Sequence, residues 1–293
     1  MTMEDLLSMV PEDLLRLYTR LGTFDACAVT LGINRKSFAR HWYANDLPDP
    51  KTIKKTISKS KTYQAAVISD MHWGSNYQNM DAFQSFIDEV KSRGIQTLLC
   101  AGDTVEGLIK RPNAENERFL HSIDDIMDYA VKYYPTGFKN NILINGNHCS
   151  SLDTKGDGFN FAKNLCRSRP DLKCVTNPSQ LAECITIDGG AKIILYHGAG
   201  SCSNNLTTRT RSLTAKLISH SVPFDIMCAG HCHSSSSDYF LGKWAFSLDC
   251  FEDMTPYLAT KMLVPHIGGL ILTYTVNENG RLTKVIAENV RYE

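Results

Sequence analysis

The sequence lacks any run of about eighteen apolar residues, so no stretch reads as a membrane-spanning helix. It also lacks net charge, because 31 basic side chains balance 31 acidic ones. That excludes the global basic field of a nucleic-acid coat protein and leaves any nucleic-acid contact to a local patch. No Cys-x-x-Cys pair occurs among the ten cysteines, and several sit inside apolar runs. They read as small buried hydrophobes in a reducing cytosol, not as a disulfide framework. Residues 1–10 carry Glu4 and Asp5 and no basic stretch ahead of an apolar one, so a signal peptide is not expected. The expected location is cytoplasmic. Internal repeats and long low-complexity tracts are missing too.

What is present is an ordinary globular composition: 293 residues, 43% hydrophobic and 21% charged. This suits one large α/β domain, alone or with a small one attached. Residues 1–45 are rich in helix formers. Residues 46–63 hold Pro48, Pro50 and five lysines, Lys51, Lys54, Lys55, Lys59 and Lys61, and read as a basic linker. Residues 64–293 alternate short apolar runs with helical patterns. The expected strands are 65–69, 97–101, 141–145, 192–196 and 225–229. The expected helices are 80–92, 116–133, 159–169 and 206–220. Continuous apolar strands alternating with helices predict an α/β sheet covered on both faces. Residues 182–188 with Gly189 and Gly190 read as a hairpin into 192–196. Stretches 244–248 and 269–276 read as a tail that completes a second sheet.

Each of the five apolar runs ends in side chains that bind hard divalent cations. Ser69-Asp70-Met71-His72 follows the first. In extended chain alternate residues point the same way, so Asp70 and His72 can share one ion. Gly102-Asp103-Thr104-Val105-Glu106-Gly107 follows the second, Gly146-Asn147-His148 the third and His197-Gly198 the fourth. Gly230-His231-Cys232-His233 closes the series. Taken singly, each has an ordinary reading as a turn or a loop. Together they fall where open α/β sheets place ligand sites, at the carboxyl ends of strands.

This order and spacing resembles the calcineurin-like metallophosphoesterase superfamily, over about residues 64–248. The resemblance implies a four-layer α/β/β/α sandwich, two mixed sheets flanked by helices, with a dinuclear metal centre. By position, Asp70, His72 and His233 would hold the first metal, and Asn147, His197 and His231 the second. Asp103 would bridge them, and His148 would act as an acid or transition-state stabiliser. Two ions so placed would activate water and neutralise phosphoryl charge. A mixed Asp/Asn/His set suits manganese first, with iron, zinc or magnesium as alternatives, over calcium. One departure stands out. Many members carry an acidic residue after Gly-Asn-His, where this chain has Cys149, and that leaves the partner of His148 open. Cys149 and Cys232 read as packing beside the site. His41, His121, His220 and His266 match no motif and read as structural.

The loop after His197 carries Arg209 and Arg211, read either as contacts to a substrate phosphate or as a solvated loop. Lys110 and Arg111, after the second cluster, have the same two readings. In the N-terminal segment, helices are expected at 13–20, 24–31 and 35–42. Ala28, Leu31, Gly32, Ile33 and Phe38 fall as a helix-turn-helix requires, and the segment resembles one of the DNA-binding kind. Arg35, Lys36 and Arg40 would then face DNA, with the lysines of 51–61 adding phosphate contacts. The alternative is a small helical packing domain with a solvated linker. The function expected is metal-dependent phosphoester hydrolysis, acting as a phosphodiesterase on nucleic acid. The alternatives are a phosphomonoesterase and an inactive DNA-binding adaptor.

Overall fold

A computed structural model describes residues 9–57, 60–111, 113–155, 158–174, 182–198, 202, 205–278 and 280–292. Lys59, Ala199, Gly200, Ser201 and Asn204, all part of the expected linker or loop, lie outside the described residues, as do the side chains of Lys54 and Lys55. The chain divides into two compact units, 1–62 with 275–284, and 63–274 with 285–293.

The first unit holds α1 (Pro11–Leu21), α2 (Phe24–Leu31), α3 (Arg35–Ala44) and α4 (Pro50–Ile57). Local chemistry sets the ends. Pro11 opens α1, and Gly22 closes it in the left-handed region (φ 76°), donating to the Tyr18 carbonyl. Thr23 and Asn34 cap α2 and α3 by accepting from the amides of Ala26 (3.1 Å) and Ser37 (2.9 Å). Leu14, Tyr18, Phe24, Cys27, Phe38 and Trp42 are buried in one cluster. The expected linker is therefore partly helix. Asp49 accepts from the Lys51 amide at 2.7 Å, Pro50 starts α4, and Ile53 is buried in that same cluster. An Asp-Pro pair that reads as a break is here a helix start.

The β-structure forms two sheets. One runs β11-β10-β1-β2-β3-β4 and the other β5-β6-β7-β9-β8. The first contains β1 (Lys61–Ile68), β2 (Thr97–Cys100), β3 (Asn140–Leu143), β4 (Lys173–Cys174), β10 (Gly268–Val276) and β11 (Leu282–Arg291). The second contains β5 (Ala182–Thr186), β6 (Lys192–His197), β7 (Ile226–Gly230), β8 (Ser236–Phe240) and β9 (Lys243–Ser247). β1 to β4 pair in parallel, with Ala66 opposite Leu98 and Leu98 opposite Asn141. In the second sheet β5 and β6 form the expected antiparallel hairpin, while β6, β7 and β9 run parallel. The architecture is two mixed sheets flanked by helices, as expected.

The remaining helices are α5 (Met80–Ser92), α6 (Ile123–Tyr133), α7 (Asn147–Lys155), α8 (Phe161–Ser168), α9 (Leu206–Ser219) and α10 (Pro256–Thr260). Phe83, Phe86, Ile87 and Val90 on α5 join Ile68, Leu98 and Cys100 of the strands in the main core. Three expectations need correction. Residues 116–122 are turns and loop, because Ser122 caps α6 by accepting from the Asp125 amide at 3.0 Å. Stretch 269–276 joins the first sheet beside β1, not the second. Residues 147–155 form a helix that the polar Gly-Asn-His signal concealed.

Candidate metal centre

β1, β2, β3, β6 and β7 all end at or just before a ligand cluster. Past the strand ends the first two loops are zipped together by their backbones. Asp70 N–H donates to Gly102 O (3.0 Å), His72 to Asp103 O (3.1 Å), Trp73 to Thr104 O (3.0 Å) and Glu106 to Trp73 O (3.0 Å). The backbone of the ligand loops is unusual. Asp70 (φ 54°), His72 (φ 47°), Asp103 (φ 47°), His231 (φ 86°) and His233 (φ 53°) all lie in the left-handed region. Such positions cost about 1–3 kcal/mol each and persist where the surroundings dictate them. Asp70 and His72 are therefore not the extended pair expected, although their side chains still converge.

Glycine allows the loops to close on one another. Gly102 sits at φ 101°, and a side chain there would collide with the His197 ring. A side chain on Gly146 would collide with the Asp103 carboxylate and amide.

Ligand atoms of Asp70, His72 and His233 converge in one group, and those of Asp103, His197 and His231 in another. Nε2 of His72 lies 3.1 Å from Nε2 of His233. Asp70 Oδ1 is 3.4 Å from His233 Nε2 and 3.8 Å from His197 Nε2. Asp103 Oδ2 is 2.8 Å from His197 Nε2 and 4.0 Å from His72 Nε2. Asp70, Asp103 and His197 are at most 1% exposed. Burial opposes ionisation of Asp70, but the facing imidazoles of His197, His233 and His72 hold its carboxyl well below the usual range. Asp103 is held down in the same way, against burial, chiefly by His197 and His148.

The donor set fits divalent cations. The Asn147 Oδ1 atom is buried and accepts no hydrogen bond among the described residues. A buried carbonyl-type oxygen left so carries a desolvation cost that a cation removes. The tautomers fit as well. His197 Nδ1–H donates to Ala101 O at 2.7 Å and His72 Nδ1–H to Glu106 Oε2 at 2.8 Å, leaving each Nε2 with its lone pair toward the cluster. Two imidazole Nε2 atoms about 3 Å apart match a shared ion with Zn–N-type bonds of about 2 Å.

His148, at the start of α7, donates its amide to Asp103 Oδ1 (2.8 Å), and its ring packs edge-on to His72. Its Nδ1 lies 3.0 Å from both the Glu106 carbonyl and Glu106 Oε2. Glu106 thus supplies the acidic partner missing at Cys149. Burial disfavours the charged ring, yet the Glu106 and Asp103 carboxylates outweigh it and raise the His148 pKa. Glu106 was visible in the Gly-Asp-Thr-Val-Glu-Gly stretch but had no assigned role. Glu252 gave no signal. Its Oε2 stands 3.9 Å from His72 Nδ1 and 3.7 Å from His233 Nδ1, placed there by the Phe251 amide bond to Asp70 O (3.0 Å).

Arg209 and Arg211, expected on the loop after His197, both stand on α9 and part company. Arg209 is half-buried beside Gly198, Tyr196 and Cys232, and burial lowers its pKa. Arg211 is exposed, bound to Asp238 at 2.6 Å and laid over the Phe240 ring. Arg111 is bound to Glu117 at 2.6 Å and lies 3.6 Å from Glu106. Arg35, Lys36 and Arg40 are exposed on α3, with Arg35 3.5 Å from Asp25. The cysteine expectation also needs correction. Cys202 and Cys232 form a disulfide, 30 residues apart in sequence with Cα atoms 5.5 Å apart, because the loop after β6 returns to the turn after β7. The other eight cysteines form no disulfide.

The calcineurin-like phosphoesterase family model matches residues 63–257, a span that contains every ligand named above. The chain belongs to the calcineurin-like phosphoesterase family. The family is named for action on phosphoric esters. A DNA polymerase II small subunit of Halobacterium salinarum is 31% identical over 165 residues, 53% of this chain and 31% of that protein. One from Methanothermobacter thermautotrophicus is 26% identical over 185 residues, 57% of this chain and 37% of that protein. The chain thus spans about a third of the length of these relatives. The solved structure of an archaeal phosphodiesterase aligns with a TM-score of 0.42 and 14% identity, over 77% of this chain and 99% of that one. No described helix is long and apolar enough to cross a membrane.

Proposed function

We propose that this phosphoesterase is a two-metal phosphodiesterase acting on nucleic acid. The observation that carries the paired-metal reading is Asp103. Its Oδ2 reaches toward His197 at 2.8 Å in one ligand group and His72 at 4.0 Å in the other. In this reading Asp70, His72 and His233 hold one ion, Asn147, His197 and His231 hold the second, and Asp103 bridges. Manganese is the first choice of metal. Bound there, the ions supply Lewis acidity and an activated water.

The chain's own side chains do the rest. The Ala101 carbonyl and Glu106 fix the tautomers of His197 and His72. Glu106 also keeps a proton on His148 Nδ1 and favours the charged ring. That ring would stabilise the charge that develops on the leaving oxygen.

Nucleic acid as substrate is supported by two features. The curated relatives are named as DNA polymerase subunits. The first unit is a capped helical bundle with Arg35, Lys36 and Arg40 exposed on its third helix, the arrangement a helix-turn-helix uses. The complete set of seven ligand side chains argues against an inactive adaptor. Manganese-dependent hydrolysis of bis(p-nitrophenyl) phosphate and p-nitrophenyl phosphate, with Asp103→Asn as control, tests the proposal. Diester turnover lost in Asp103→Asn is expected. Turnover of the monoester alone would make the chain a phosphatase.

A further inference from the structure

Residues 253–265 leave the metal centre and return to it. At the near end Glu252 backs onto His72 and His233. At the far end His266 N–H donates to the His233 carbonyl at 2.7 Å, and the Ser234 hydroxyl donates to Val264 O at 2.6 Å. Both ends thus adjoin the loop that carries His231 and His233.

Between those ties the segment turns apolar side chains to solvent. Met254 is 42% exposed, Tyr257 46%, Met262 82% and Val264 64%. Burial as core does not explain them, and an exposed apolar group at the rim of a site marks a contact surface. Tyr257 follows the helix start that Thr255 caps by accepting from the Leu258 amide at 3.1 Å, so its backbone is fixed.

Two cations meet that ring. The Arg111 guanidinium carbon lies 5.2 Å from the ring centroid and Lys261 Nζ 5.9 Å. Arg111 is held by Glu117 and reaches Glu106, whose other oxygen bonds His72. One cation therefore links the ring to the candidate ligand sphere. An exposed aromatic ring with cations beside it is how single strands are gripped: the ring stacks a base and the cations take phosphates.

The geometry points to a base-binding shelf at the rim of the metal centre. Tyr257 stacks a nucleobase of a single-stranded substrate, Lys261 receives the phosphate joined to it, and Arg111, bound to Glu117, holds the ring. This rests on the nucleic-acid phosphodiesterase reading and names the part of the substrate that the site holds beyond the scissile phosphate.

The test compares two fluorescein-labelled single strands of equal length, oligothymidylate and an abasic analogue, both with phosphorothioate links that slow cleavage. Their binding to the manganese-loaded full chain is read by anisotropy. The wild-type chain is expected to prefer the base-bearing strand by about ten-fold. Tyr257→Ala is expected to erase that preference and Tyr257→Phe to keep it. An equal preference in Tyr257→Ala and wild type, or no preference or no binding in wild type, overturns the shelf. Hydrolysis of bis(p-nitrophenyl) phosphate by the same preparation separates the two readings. Diester turnover without base preference removes the shelf alone, whereas absent turnover removes the phosphodiesterase reading.

Discussion

The two units of this chain solve opposite problems. The helical unit buries Leu14, Phe24, Phe38 and Trp42 and leaves its charged side chains at the surface. Its helix ends are capped by the residue types that cap best, Thr23, Asn34 and Gly22. The larger unit buries Asp70, Asp103, Glu106 and Glu252 together and holds five of its candidate ligands in the left-handed backbone region. Among its described residues the helical unit holds one non-glycine residue in that region, Asp46 (φ 50°). The larger unit accepts strain and desolvation where chemistry is to happen, as functional sites do. Stability and activity should therefore respond to different substitutions.

The largest effect is expected at Asp103. Asp103→Asn removes a carboxylate that faces both ligand groups. Diester turnover should fall on the order of a thousand-fold, equivalent to several kcal/mol of lost charge stabilisation, as read by kcat. Phe38→Ala sharpens the contrast from the other side. Removing a fully buried ring should destabilise the helical unit by about 3–5 kcal/mol in denaturant titration, with kcat on the small diester unchanged. A parallel loss of turnover would break the comparison.

Glu106→Gln is next. It keeps the shape but weakens the holds on His72 Nδ1 and His148 Nδ1, and should lower metal affinity or activity about 10–100-fold by metal titration and kcat. The smallest change is expected from Arg35→Ala, Lys36→Ala and Arg40→Ala combined. Duplex DNA binding should weaken, and the slope of log affinity against log salt should shrink by about one per lost contact. The midpoint of unfolding should stay put, because these side chains are exposed.

These regions also differ in how far the sequence reveals them. In the helical unit caps and apolar spacing are local signals, so α2 was legible to the residue and α1 and α3 within two. Only α4 was hidden, because Asp49-Pro50 reads equally as a break and as a helix start. In the larger unit the five strands that precede the clusters were legible as apolar runs, while β4, β8 and β11 were not. The backbone that aims the ligands was hidden too. Asp70 and His72 look like an extended pair, yet both are left-handed and hydrogen-bonded to the distant Gly102 and Asp103. Glu252 and the Cys202–Cys232 bond were equally out of reach, because each depends on segments meeting across distant loops.

Metal content measured beside diester turnover tests the central claim most directly. After chelation and reloading with manganese, the wild-type chain should bind about two equivalents, with turnover rising in step, and Asn147→Ala should keep about one. Diester turnover that survives complete chelation, or full activity with a single equivalent bound, would contradict it.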